Sequence, residues 1–206
     1  MSGPEQTAPD LPHDTSLAVW DLPSPAIAGR RATVKAGIAC SSGCNLSGAR
    51  IDVHNETGQR TGSGEAGSAP WPGTTSLYWV ELDVAAPDMP GECAWTLRAT
   101  ASGPHAPATS MVRVVVAAAP QHRVTIAVTE KGSGGPVPGV DVRVGMFRGA
   151  TGEAGIAQID VPAGRFDVVA CKIGYETLSS TIEVAGDIAV HLKAAPASEP
   201  EQPYWM

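Results

Sequence analysis

Between residues 136 and 193, apolar side chains recur at every second position in short runs, and each run stops at a glycine- or proline-bearing turn. Val140, Val142 and Val144 alternate with Asp141, Arg143 and Gly145. Ile156, Gln158 and Asp160 alternate with Ala157, Ile159 and Val161, and Phe166, Val168 and Ala170 alternate with Asp167, Val169 and Cys171. Ile182 and Val184 open a further strand, and Ile188, Val190 and Leu192 close the set. The turns fall at 151–155, 162–164, 174–175 and 186–187. A segment with a period of two can bury only one of its faces, so such segments must lie side by side in sheets that cover one another. Turn signals every eight to twelve residues or so predict an antiparallel β-sandwich.

The same residues resemble a known family. Pro138-Gly139-Val140-Asp141-Val142, Thr151 with Gly155, Val161-Pro162-Ala163-Gly164-Arg165-Phe166, Gly174-Tyr175-Glu176 and Val190-His191-Leu192 are similar to the carboxypeptidase regulatory-like domain. That is the transthyretin-like, prealbumin-type β-sandwich, and the resemblance covers about the last third of the chain. Its motifs are turn and core residues, so it implies a fold and transfers no catalytic residue. Such domains are found appended to enzymes, surface proteins and transporters, and on subunits of large redox enzymes, molybdenum transhydroxylases among them. Function drawn from it is analogy.

The rest of the chain reads as a second all-β unit. Ala32, Val34, Ala36 and Ile38 alternate with Thr33, Lys35 and Gly37 and lead to Cys40. Ile51 and Val53, residues 77–84, then Cys93, Trp95 and Leu97, then 111–116 supply further strands. Residues 62–73 read as a long Gly/Ser/Pro loop carrying Trp71. About seven short strands over roughly a hundred residues is an immunoglobulin-like pattern. Trp79 is the nearest counterpart of the core tryptophan that such domains carry. The expected organisation is an extended tail over 1–15, an immunoglobulin-like sandwich over 16–118, a transthyretin-like sandwich over 119–194 and an extended tail over 195–206.

Composition narrows the function. The 206 residues carry a formal net charge of −7, 17% charged residues, 23 glycines and 18 prolines. An acidic chain without a Lys/Arg cluster argues against nucleic acid and against an anionic membrane surface. No apolar run approaches about eighteen residues, so membrane insertion is not expected. The polar start has no basic region and no apolar core, which points to a cytoplasmic protein; a removed signal peptide leaves an exported one as the alternative.

Several side chains are candidates for a site. Cys40, Cys44 and Cys93 admit three readings: free structural thiols, one disulfide from Cys93 to Cys40 or Cys44, or thiolate ligands with His54. A disulfide would close a loop of about fifty residues, worth roughly 4 kcal/mol. The spacing lacks the second tight pair of a zinc knuckle, so no metal is expected. His13, His105, His122 and His191 are scattered, and surface imidazoles are the expectation. There is no Gly-x-Ser-x-Gly elbow, and the Gly-rich stretches at 62–64 and 132–135 lack the Lys-Ser/Thr of a phosphate loop. Catalytic residues and cofactors are therefore expected to be none. Tyr78 and Trp79 point to opposite faces of one strand. The exposed one, with Trp71 and Pro72, forms the expected contact patch, and Tyr204, Trp205 and Met206 form an apolar anchor at the chain's end.

These readings converge on a non-catalytic accessory or structural subunit that docks on larger protein subunits of an assembly, a redox enzyme among the options. Two readings of other classes stay open. One is an exported module that binds carbohydrate or protein; the other is a hydrolase, for which the sequence supplies no acid/base pair at defined spacing.

Overall fold

The computed structural model of the chain describes residues 12–197. It is all-β: every regular element among these residues is a strand. The chain divides into two compact units, Met1–Ala117 and Ala118–Met206.

The first unit holds β1 (Thr15–Trp20), β2 (Ala26–Ile27), β3 (Arg31–Cys40), β4 (Arg50–His54), β5 (Arg60–Glu65), β6 (Tyr78–Ala85), β7 (Gly91–Thr100) and β8 (Ala108–Ala117). They form a three-stranded sheet, β1-β3-β6, and a five-stranded sheet, β2-β8-β7-β4-β5. The pairings are antiparallel except for β2 beside β8. Alternation decides what faces inward. Val34, Ala36 and Ile38 of β3 are opposite Leu82, Val80 and Tyr78 of β6. They meet Ile51, Val53, Trp95, Leu97, Val114 and Val116 from the other sheet in one core. Trp95 is fully buried there. The core tryptophan is thus Trp95 and not Trp79, whose neighbours on β6 already turn inward.

Strand β5 corrects the reading of residues 62–73 as a loop throughout. Its inward positions are Gly62 and Gly64, which look like loop residues in a sequence. A Cβ at Gly64 would stand 2.8 Å from Leu82 Cδ2, and one at Gly62 would stand 3.0 Å from the carbonyl oxygen of Asp83. The edge of the five-stranded sheet approaches β6 so closely that only a bare backbone fits.

The second unit holds β9 (His122–Glu130), β10 (Asp141–Val144), β11 (Phe147–Ala150), β12 (Ile156–Val161), β13 (Gly164–Cys171), β14 (Leu178–Val184) and β15 (Ile188–Ala194). The sheets are β11-β10-β13-β14 and β12-β9-β15. Val124, Ile126, Val128, Val142, Val144, Ile159, Val161 and Val168 are buried between them. The alternation read across 140–161 holds, with Val140, Val142 and Val144 inside and Ile156 outside at 44% exposure. Two features are not part of the expected antiparallel sandwich. Gly145 and Met146 turn β10 straight into β11, and β15 runs parallel to β9. Thr151, a buried polar residue, ties the turn before β12 to the core. Its hydroxyl donates to the Val137 carbonyl at 2.7 Å and accepts from the Val140 N–H at 2.9 Å.

Candidate functional site

Three places on the first unit gather side chains beyond what core packing requires. The most compact is a cluster of sulfur and imidazole groups at one end of the sandwich. Cys40 ends β3 and is paired with Thr15 of β1. The turn that follows, closed by the Gly43 N–H donating to the Cys40 carbonyl at 3.0 Å, brings Cys44 back beside it. His13 precedes β1, and His105 lies in the β7–β8 loop. The two are joined by a short parallel bridge: the His13 N–H donates to the Pro104 carbonyl at 2.7 Å, and the Ala106 N–H donates to the His13 carbonyl at 3.0 Å. That bridge sets their rings edge to face, 5.5 Å between centroids.

The donor atoms of His13, Cys40, Cys44 and His105 all lie within 4.8 Å of one another. His13 Nδ1 is 3.1 Å from Cys44 Sγ and 3.8 Å from Cys40 Sγ. Burial opposes charge on Cys40, but backbone N–H groups of Cys44 and Ser42, with the Cys44 and His13 side chains, outweigh it and bring the thiol down to about 6. Cys44 is pushed up, by sharing its hydrogen bond with Cys40, by burial and by the neighbouring thiolate charge. The two thiols are thus pushed in opposite directions.

This corrects the grouping expected from the sequence. Cys93 lies seven residues before the end of β7, roughly 20 Å of strand away from the β7–β8 loop. No disulfide to Cys40 or Cys44 can span that, and all four cysteines are free. Burial, then the Glu56 carboxylate, pushes the Cys93 thiol up. His54 sits on β4 and faces the outer side of its sheet. His13 and His105, read as scattered surface groups, are the imidazoles that meet the sulfurs. The Cys-x3-Cys spacing was the available signal; the histidines, 31 and 65 residues from Cys44 and Cys40, had none.

The second place is aromatic. Trp20, Trp71 and Trp79 pack on the outer face of β1-β3-β6, with Trp71 5.0 Å from Trp20 and 4.8 Å from Trp79. The loop after β5 folds back, its Trp71 N–H donating to the Leu77 carbonyl at 2.7 Å. Gly37, opposite Trp79, leaves room for this: a Cβ there would meet Leu77 Cδ1 at 2.9 Å and Trp20 Cη2 at 3.2 Å. The Lys35 ammonium stands 5.5 Å from the Trp71 ring centre and 2.8 Å from Asp21. Trp71 is thus half-buried against Trp20 and Trp79 of its own unit, while Pro72 beside it is exposed. Tyr78 is buried and Trp79 half-buried, on opposite faces. Tyr204, Trp205 and Met206 lie outside the described residues.

The third place is the outer face of the five-stranded sheet. Thr96 of β7 is opposite Met111 of β8, Arg98 is opposite Thr109, and Ala94 is opposite Arg113. Ala94, Thr96, Arg98, Thr109 and Met111, with His54, Asn55, Glu56 and Pro107, line an open basin of about 840 Å³, and Arg113 stands next to it on β8. Met111 is 68% exposed and Val115, on the same row, 41%. Arg98 and Arg113 are exposed, and neither is ion-paired among the described residues.

No protein-family model matches the chain, and no curated protein sequence matches it. Solved structures with a likeness include the TIE protein of Bacillus anthracis, at 13% identity and a TM-score of 0.31, covering 93% of this chain and 42% of that one. The major pilin subunit BcpA of Bacillus cereus has 8% identity and a TM-score of 0.34, over 89% and 70%. The fibronectin(III)-like modules of Clostridium thermocellum CbhA have 13% identity and a TM-score of 0.33, over 85% and 94%. The chain thus spans less than half the length of the first of these. Likeness at this level adds nothing to what the strands themselves show, and it does not single out the carboxypeptidase regulatory-like domain.

Proposed function

We propose that the chain is a non-catalytic structural module that works by docking on a larger protein, through the outer face of its five-stranded sheet. The observation that supports this is the Met111 row: an adaptable thioether, 68% exposed, standing among small uncharged side chains with two unpaired guanidinium groups beside it. Glu56 and Glu92 stand on the same face, so it sets charges of both signs around an apolar centre. Its fitting occupant is a protein surface that sets an apolar side chain on Met111, with carboxylates placed to meet Arg98 and Arg113. The resemblance of residues 136–193 to carboxypeptidase regulatory-like domains agrees, since such domains accompany larger partners.

The test is a photo-crosslinking residue at position 111 in the full chain, expressed in its own host, followed by the intact mass of what co-purifies. A stoichiometric partner crosslinked from position 111, lost on Met111→Asp or Arg98→Glu and kept on Ile173→Asp in the second unit, supports the reading. A 21.1 kDa monomer in native extracts, or a partner indifferent to Met111→Asp, overturns it.

A further inference from the structure

We propose that His13 Nδ1, Cys40 Sγ, Cys44 Sγ and His105 Nε2 form a tetrahedral Cys2His2 site for a borderline divalent metal, with Zn2+ as the fitting ion. Three independent observations converge on it.

The first is geometry. Zinc bonds of about 2.3 Å to sulfur and about 2.0–2.1 Å to nitrogen put tetrahedral donors roughly 3.3–3.8 Å apart. The His13 nitrogen lies 3.1 and 3.8 Å from the two sulfurs, and the four donor atoms fit within 4.8 Å. Small adjustments of χ angles close the set around one ion.

The second is the state of His105. Its Nδ1 lies 2.7 Å from the Ser102 carbonyl oxygen. A carbonyl can only accept, so Nδ1 carries the proton and the neutral ring presents the Nε2 lone pair. That Nε2 is buried and has no hydrogen-bond partner. A buried acceptor left without a donor is costly unless something else uses its lone pair. A backbone carbonyl holding one ring nitrogen while the other is left free is how metal-ligating imidazoles are fixed.

The third is the surroundings of the sulfurs. The Ser42 N–H donates to Cys40 Sγ at 3.4 Å, and Cys40 is 4% exposed. The amide and the burial fix where this sulfur stands, beside His13 and Cys44, and metal binding would displace the thiol protons to solvent.

Four protein donors fill a tetrahedral shell and leave no position for substrate, so the site is structural. Its ligands come from the segment before β1, the end of β3 and the turn that follows it, and the loop between β7 and β8. One ion would therefore tie the segment before β1 and the end of β3 in the three-stranded sheet to the β7–β8 loop of the five-stranded sheet, which no disulfide does, since all four cysteines are free. The surface docking proposed above does not depend on it.

The experiment uses the full chain, reduced and freed of metal with a chelator, titrated with Co2+ and then with Zn2+. The expected result is saturation at a single equivalent, the intense visible d–d bands of tetrahedral cobalt with thiolate-to-metal charge transfer, and displacement by Zn2+. Cys44→Ser and His105→Gln should weaken Co2+ binding by about 100-fold or more, beyond what loss of a supporting group does. Cys93→Ser, Cys171→Ser and His54→Gln should leave it unchanged. Circular dichroism in chelator separates lost binding from lost folding. A weak octahedral cobalt spectrum, full-strength binding by folded His105→Gln, or a Cys40–Cys44 disulfide in the protein as isolated would overturn the proposal.

Discussion

Replacing Gly155 by alanine should open the second unit, for reasons that can be separated by two companion variants. Gly155 has φ near +69°, where an L side chain costs about 1–2 kcal/mol. Its added Cβ would also stand 2.7 Å from the Val128 carbonyl oxygen, 2.9 Å from the Val137 nitrogen and 2.9 Å from Pro136 Cβ. Two of these are backbone atoms and cannot swing away. They belong to the pair in which the Val137 N–H donates to Val128 and the Val128 N–H donates to Gly155. Moving them apart sacrifices two hydrogen bonds, about 1 kcal/mol each. The sum is about 3–4 kcal/mol. Gly139→Ala has the same left-handed backbone, φ near +65°, but open space, and should cost about 1–2 kcal/mol. Gly152→Ala, whose nearest neighbour is the Ile156 oxygen at 4.0 Å, should stay within about 0.5 kcal/mol. Hydrogen exchange of the β9 and β15 amides in the full chain reads this unit by itself. Gly155→Ala should speed exchange there by about 100-fold or more, one decade per 1.4 kcal/mol. Exchange no faster than in Gly139→Ala would refute the steric argument.

Other outcomes follow from single contacts. Thr151→Val should destabilise the second unit by about 2–3 kcal/mol because it strands the buried Val140 N–H, while Thr151→Ser should recover most of that; denaturant melts compare them. Trp71→Ala should lower the stability of the first unit in the chain alone, by about 2–3 kcal/mol, visible in its melting curve, because Trp71 packs on Trp20 and Trp79 within the same unit. The Glu130 carboxyl is held below its ordinary value by the Ser133 hydroxyl and then the Tyr175 hydroxyl. Its folded form is therefore favoured above the ordinary carboxylate value, and that help fades as pH falls through the lowered one. Tyr175→Phe should move the Glu130 carboxyl carbon's NMR titration upward. Alkylation of the native chain should reach exposed Cys171 before the half-buried Cys93, as peptide mass mapping would show.

The strands that can be read from the sequence are those in which every inward position carries an aliphatic side chain, such as Val142 with Val144, or Ile159 with Val161. Where close approach replaced the aliphatic residue by glycine, as at Gly62 and Gly64 of β5, the same regularity is present but has no hydrophobic mark. The pairing of β15 with β9 is invisible for another reason: register between strands about sixty residues apart is chosen by the shape of the finished core. The candidate sites divide likewise. Cys40 and Cys44 announce themselves by spacing, but His13 and His105 join them only because two loops form a bridge. Trp71 stood out correctly as unusual, yet a tryptophan in a loop cannot say by itself whether it faces a partner or folds back on Trp20 and Trp79.

The parallel seat of β15 beside β9 also has a consequence for the order of assembly. The first strand of the second unit is made early, but its neighbour is made last among the described strands. Until residues 188–194 leave the ribosome, β9 shows a bare edge of amides and carbonyls flanked by Val124, Ile126 and Val128, the kind of edge that recruits foreign strands. The first unit has all its strands long before that. A chain halted after β14 would thus emerge half finished and adhesive, with a complete module at its front and an open template behind it.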